Sequence, residues 1–362
     1  MTTTMNSGQP AVVVAGHICL DLIPTFPASG ADYRQLMQPG KLVFVEKPVL
    51  ATGGAVSNTG LALHRLGVPT ALMGKVGDDL FGRAILDILS KYDPALAAGM
   101  IVEPGAVTSY TVVVSPPGID RMFLHCPGAN DTFRAADVAF DKLAGAKLFH
   151  FGYPPLMRGF YSDNGAELTT LFRRVKAAGL TTSLDLAFPD PHSAAGRAPW
   201  PKILRAALPY VDLFLPSVDE IRFMLGLPQT ASPSEIGKQL LDWGAGTVVL
   251  KLGDQGLYAR TADRELLVPC FQTTVVGTTG SGDCTIAGFL AGTLKGLSLE
   301  DTLTAAVAVG ACNVEAADAT SGIIPWDQVQ HRIRAGWPRL AAKRAMPGWT
   351  FDAQRSLWQK RP

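Results

Sequence analysis

Five apolar runs set the terms for how this chain can fold: AVVVAG (11–16), KLFHFG (147–152), TTSLDL (181–186), VDLFLP (211–216) and TVVLKLG (247–253). Each is short and bounded, and its continuous apolar character calls for burial on both faces. Between them lie stretches with helical spacing, including AVSNTGLALHRLG, closed by Gly67, and ELTTLFRRVKAAG, closed by Gly179. Strands alternating with helices predict a mostly parallel sheet covered by helices on both sides, the α/β class.

Two regions break that rhythm. KLVFVEKPVL (41–50), and the pair SYTVVVS and RMFLHC around the turn PPGID, read as strands with no intervening helix. They predict a small β excursion that either covers a ligand or is a plain edge hairpin. With 362 residues the chain exceeds the usual single core, so one large α/β domain with excursions and two domains both fit the length. A hydrophobic content of 47 % with 17 % charged residues excludes long disorder. The net charge of +1 and the lack of a basic run speak against nucleic acid as a partner. Five scattered cysteines without CxxC spacing fit reduced thiols, hence a cytoplasmic location, better than disulfides or zinc. MTTTMNSGQP reads as a tail and not a secretory signal. TLTAAVAVGACNVEAA meets Glu315 too early to span a bilayer, so no membrane partner is expected. The stretch after Trp326, ending PGWTFDAQRSLWQKRP, looks peripheral.

The chemistry-bearing motif is TTGSGDC (278–284), directly before the apolar helical run IAGFLAGTLKGL. A glycine-rich turn that opens a helix aims unpaired N–H groups and the positive dipole end outward, which favours a phosphate or a developing oxyanion. The competing reading is an ordinary turn with Asp283 as a first-turn acid. The loop is neither GxxxxGK[ST] nor GxGxxG. It offers instead a carboxylate beside an anion hole, a pairing suited to phosphoryl transfer. In TGGAVSNTG, Gly53 and Gly54 permit close main-chain approach and Asn58 is a polar group on an otherwise apolar helix, able to hold a polyol or simply a neighbouring backbone group. Asp21 follows the first strand, where open α/β sheets bind ligands. His17 and His125 either touch substrate or are structural; the six histidines show no HExxH spacing.

Together VVVAGHICLDLIP, GGAVSNTGLALHRLG, MGKVGDDLFG, VVLKLGDQGLY and VVGTTGSGDCTIAGFLAG, in this order over most of residues 11–325, resemble the ribokinase-like (PfkB-type) carbohydrate kinases. The resemblance implies a three-layer α/β/α sandwich with a small β-strand lid. The kinase domain would cover 11–330, with lid strands from about 41–50 and 109–126 and a C-terminal extension over 331–362. It implies ATP-dependent phosphorylation of a hydroxymethyl group on a sugar or sugar derivative, with Mg²⁺ bridging the phosphates. By similarity Asp283 is the base and Gly280, Ser281 and Gly282 form the anion hole. Asp21, Gly53, Gly54 and Asn58 match positions that hold substrate hydroxyls. Lys251, Gly253 and Gly256 in LKLGDQG match the nucleotide side, with Asp185 facing the nucleotide and Asn313 on the helix flanking the adenine. Lid strands in this family often pair between subunits, so a homodimer is one expectation and a monomer the other.

The chain departs from the family at two places. Gly277 stands where relatives commonly carry an Asp that belongs, in some of them, to a monovalent-cation site, which speaks against potassium activation. The NxxE segment is here Ser217-Val218-Asp219-Glu220, where Glu220 either serves the metal or completes a capping box on Ser217. DLAFPDPHSAAGRAPW (185–200) is longer than in many relatives, which leaves Arg197 without a role and specificity unread. Two alternatives stay open: a nucleoside kinase, for which the lid offers no clear base-stacking clamp beyond what Phe44 and Phe123 could contribute, and a non-catalytic sugar or nucleotide sensor of the same fold.

Overall fold

A computed structural model describes residues 9–27, 34, 38–116, 122–341 and 348–360. The main sheet has eleven strands. In chain order they are β1 (Val12–Gly16), β4 (Thr70–Gly77), β5 (Met100–Glu103), β8 (Leu148–Gly152), β9 (Thr181–Leu184), β10 (Leu213–Phe214), β11 (Thr247–Lys251), β12 (Leu257–Arg260), β13 (Glu265–Val268), β14 (Thr350–Asp352) and β15 (Leu357–Lys360). The spatial order is β14-β15-β13-β12-β11-β10-β9-β8-β1-β4-β5. From β5 through β11 every pairing is parallel; from β11 to β14 every pairing is antiparallel. The C-terminal stretch thus forms the outermost two strands of the sheet.

The five apolar runs all lie on parallel strands, and β1 shows why they must. Val12 and Val14 pack into one core layer while Val13 and Ala15 pack into the layer on the opposite face. All four side chains are fully buried. Full burial of a valine contributes about 1.5–3 kcal/mol, so a polar residue at any of these positions would be costly on either face. On one side lie helices α1 (Ala55–Arg65), α3 (Ser281–Leu294) and α4 (Leu299–Asn313); on the other lies α2 (Ala166–Ala177). Gly67 and Gly179, read as helix-terminating, take φ values of +76° and +82°.

A second sheet of four strands stands apart, in the order β3-β2-β6-β7: β2 (Cys19–Thr25), β3 (Glu46–Gly53), β6 (Tyr110–Val114) and β7 (Met122–Cys126). It is the β excursion expected from the sequence. Its edge strand β3 begins at Glu46 and not at Lys41, and runs on to Gly53, which carries the paired glycines to the sheet's end. Of the turn between β6 and β7, residues 117–121 lie outside the described residues. Among the described residues, no helix is long and apolar enough to cross a membrane.

Candidate active site

Parallel strands place all their carboxyl ends on one side of the sheet, and the chemistry-bearing side chains collect there. His17 follows β1, Tyr153 follows β8, Asp185 follows β9, Glu220 lies just past β10, and Lys251 ends β11. This edge is where ligands of open parallel sheets sit.

Asp283 is at the centre. It occupies the first turn of α3 and is 3 % exposed. Gly280, the residue before the helix, has φ +70°, and a Cβ there would lie 2.7–2.9 Å from atoms of Ala319. Only glycine makes this entry without strain. Asn58, on α1, donates from Nδ2 to Asp283 Oδ2 at 2.9 Å, and Tyr153 donates its hydroxyl to both carboxylate oxygens at 2.8 Å. Burial pushes the Asp283 carboxyl above its usual range, while the Asn58 amide, Lys251 and the tyrosine hydroxyl pull it back down. Asn58 Oδ1 is buried and has no partner among the described residues. An acceptor hydroxyl entering here would therefore find an unused carbonyl beside the carboxylate.

Lys251 lies along the same helix end. Atoms Cδ, Cε and Nζ fall 3.6–3.8 Å from where a Cβ on Gly282 would be. Its ammonium pairs with Asp185 at 2.6 Å, and the two side chains are 14 % and 1 % exposed. Burial opposes the lysine's charge, but Asp185, Glu220 and Asp283 outweigh it and hold the ammonium above its ordinary pKa. Of the residues expected to form an anion hole, Ser281 spends its N–H on the Thr278 carbonyl at 3.3 Å.

Other predicted residues separate into two groups. Ser217 and Glu220 form a capping box: Ser217 N donates to Glu220 Oε2 at 2.7 Å, and Glu220 N to Ser217 Oγ at 3.2 Å. Glu220 still faces the lysine, and its carboxyl is raised, chiefly by burial. Asn313 is fully buried and turned inward, its amide donating to the carbonyls of Asp318 and Ala319, the turn on which Gly280 rests. Gly253 and Gly256 shape the short turn after β11, both with positive φ. At Gly277 a Cβ would meet the carbonyl oxygens of Ala317 and Ala316 at 2.8 and 3.0 Å, so the main chain fills the space a side chain would need.

At the other end of the cleft, Gly53 lies so close to Asp21 that a Cβ would sit 2.3 Å from Oδ2, and a Cβ on Gly54 (φ +85°) would sit 2.4 Å from His17 Nδ1. Burial raises Asp21 to about 6. His17 is fully buried, its pKa pushed down first by burial and then by His125. Its Nε2 lies 3.3 Å from Nε2 of His125, which reaches across from β7.

Sequence reasoning missed Tyr153, the residue that grips Asp283. Its signal is the string YPP directly after the buried strand LFHFG: a polar aromatic at a strand's carboxyl end, braced by two prolines. Tyr153 takes φ +66°, a left-handed conformation rare outside glycine and asparagine, and of the kind that collects at functional sites.

Comparison with known proteins identifies the family. Residues 9–327 match the pfkB family carbohydrate kinase. Fructokinase-2 of Oryza sativa subsp. japonica is 30% identical over 298 residues, 80% of this chain and 82% of that protein. An uncharacterised sugar kinase of Archaeoglobus fulgidus is 28% identical over 241 residues, 67% of this chain and 89% of that one. Among solved structures, Arabidopsis thaliana ribokinase complexed with ribose and ATP superposes with a TM-score of 0.72 at 20% identity, covering 89% of this chain and 98% of that one. At such identity the superposition speaks for the fold alone. The family match spans nearly the whole chain, and by it the chain belongs to the PfkB family of carbohydrate kinases.

Proposed function

We propose that this carbohydrate kinase transfers the γ-phosphoryl group of ATP to a hydroxymethyl group of a sugar, with Asp283 as the base. The observation that carries the reading is the Asp283 carboxylate, buried at a helix N-terminus, gripped by Asn58 and Tyr153 and flanked by Lys251. The acceptor hydroxyl gives its proton to Asp283 as its oxygen bonds to the γ-phosphorus. The bond from that phosphorus to the β,γ-bridging oxygen breaks, and ADP leaves with its electron pair. The main-chain N–H groups of Gly280 and Gly282 and the Lys251 ammonium receive the charge of the transferring group. Asp21, Gly53 and Gly54 hold the rest of the sugar, and Asn58 Oδ1 accepts from its reacting end.

Magnesium fits this site. Three carboxyl groups, Asp185, Glu220 and Asp283, face the single ammonium of Lys251, a donor set of oxygens suited to a hard divalent cation. Glu220 and Asp185 would hold Mg²⁺, which would supply positive charge to offset the negative charge of the transferring phosphoryl group. Val49, Leu50, Phe123 and Leu124 are exposed on the second sheet, and we place a homodimer contact there.

The test is ADP release over a panel of sugars, sugar acids and nucleosides, for the protein and for Asp283→Asn. Turnover with a sugar should fall by about 10²–10⁴-fold in the variant while ATP still raises its melting temperature. Equal background ADP release from both, with a sugar raising the melting temperature, would establish a sensor instead. Preference for a nucleoside would move the substrate class.

A further inference from the structure

His17, Cys19 and His125 come from the end of β1, the start of β2 and the far strand β7, more than a hundred residues apart in sequence at the extremes. Their ligand atoms nevertheless all lie within 4.8 Å of one another. The pair of imidazole Nε2 atoms is 3.3 Å apart. Two nitrogens bound to one tetrahedral zinc at about 2.05 Å stand about 3.3 Å apart, so the spacing is that of co-ligands.

The surroundings support coordination over an ordinary polar contact. His17 is fully buried and its Nδ1 has no partner among the described residues, leaving Nε2 as its polar outlet, and that outlet faces another imidazole nitrogen. His125 is held the way metal-binding imidazoles are: Thr111 Oγ1 lies 3.0 Å from its Nδ1, which fixes Nε2 as the ligating nitrogen. Cys19 Sγ, also buried, lies 3.6 Å from the same hydroxyl and 3.3 Å from Asp21 Oδ1. Nitrogen and sulfur donors of this kind select zinc-class cations over the oxygen-seeking magnesium of the phosphate end.

We propose that His17, Cys19 and His125 form a second metal site, for Zn²⁺ or a cation of the same class, at the sugar end of the cleft. Three protein ligands leave a fourth position for water or a hydroxyl beside Asp21. The ion would also fasten β7 of the small sheet to the end of β1 of the main sheet. This assignment does not depend on which hydroxyl is phosphorylated.

Cobalt(II) is the probe. The full chain, stripped with chelator and kept reduced, should take up one equivalent of Co²⁺ with the intense visible bands of a four-coordinate ion and a near-ultraviolet thiolate-to-cobalt band, both removed by Zn²⁺. Cys19→Ser should abolish the thiolate band, and Thr111→Val should weaken binding by about 10–100-fold. Cys270→Ser, at a thiol outside the cluster, should leave the spectrum unchanged. His125→Asn, at a partly exposed position, should lose affinity, and it decides the matter if Cys19→Ser does not fold. A protein that takes up no stoichiometric Co²⁺, or whose thiolate band survives Cys19→Ser, has a hydrogen-bonded imidazole pair here and no metal site.

Discussion

The two ends of the cleft are built by different means. At the end we assign to the phosphate the parts are contiguous: Gly280 to Asp283 form one helix entry, and Lys251 is reached from a neighbouring strand end that pairs it with Asp185. At the end we assign to the sugar, Asp21, Gly53, Gly54, His17, Cys19 and His125 are assembled from strands of both sheets. The phosphate end depends on main-chain conformation and fixed charge, which any phosphoryl donor requires. The sugar end depends on side chains meeting across a sheet, which is where one kinase can differ from another.

The largest effect that would break this division is at Lys251. Removing the ammonium in Lys251→Met leaves Asp185, 1 % exposed, without its counter-charge, which costs about 3–5 kcal/mol. The phosphate end would lose both stability and turnover. Adding Asp185→Leu removes the stranded carboxylate and should recover most of the melting temperature without recovering activity. Recovery of both would make the pair structural and take the lysine out of phosphate binding.

The phosphate end was legible because its parts are local. GSGD before an apolar helix states both the turn and the acid, and strand-helix alternation already implies that strand ends gather on one edge. The capping box on Ser217 was legible for the same reason, being a four-residue pattern. The grip of Tyr153 on Asp283 spans 130 residues, and the His17–His125 approach spans 108. No spacing rule carries such contacts; they arise only when β8, β1 and β7 are set in place. Asn58 shows the intermediate case: it was marked as a polar group on an apolar helix, yet its amide turns to Asp283.

A smaller effect is expected at Gly277. The oxygens of Ala316 and Ala317 stand 3.0 and 2.8 Å from where its Cβ would be, and these are backbone atoms that cannot swing away. Gly277→Asp should destabilise the chain by about 1–3 kcal/mol, read as a lowered melting temperature. Activity of the parent should be the same in K⁺ and Na⁺ salts, and the substitution should not introduce a difference. Strong K⁺ activation of either form would show that the phosphate end holds a monovalent cation despite the filled space.

The smallest and sharpest test concerns how the base is held. Tyr153 donates to both oxygens of Asp283, and its own hydroxyl is raised well above the usual phenol range by burial and then by the carboxylate, so it stays a donor into alkaline solution. A donor to a carboxylate favours the charged form, which is the form that accepts the proton. Tyr153→Phe removes that donor, so the Asp283 carboxyl, already raised by burial, should rise further. The acid limb of kcat/KM would then move to higher pH. The deficit of the variant should be greatest in acid and shrink as the pH rises, with kcat about tenfold down near neutrality. A uniform loss across pH would mean that Tyr153 only braces the loop against its left-handed strain, and an unchanged profile would mean that Asn58 alone sets the base.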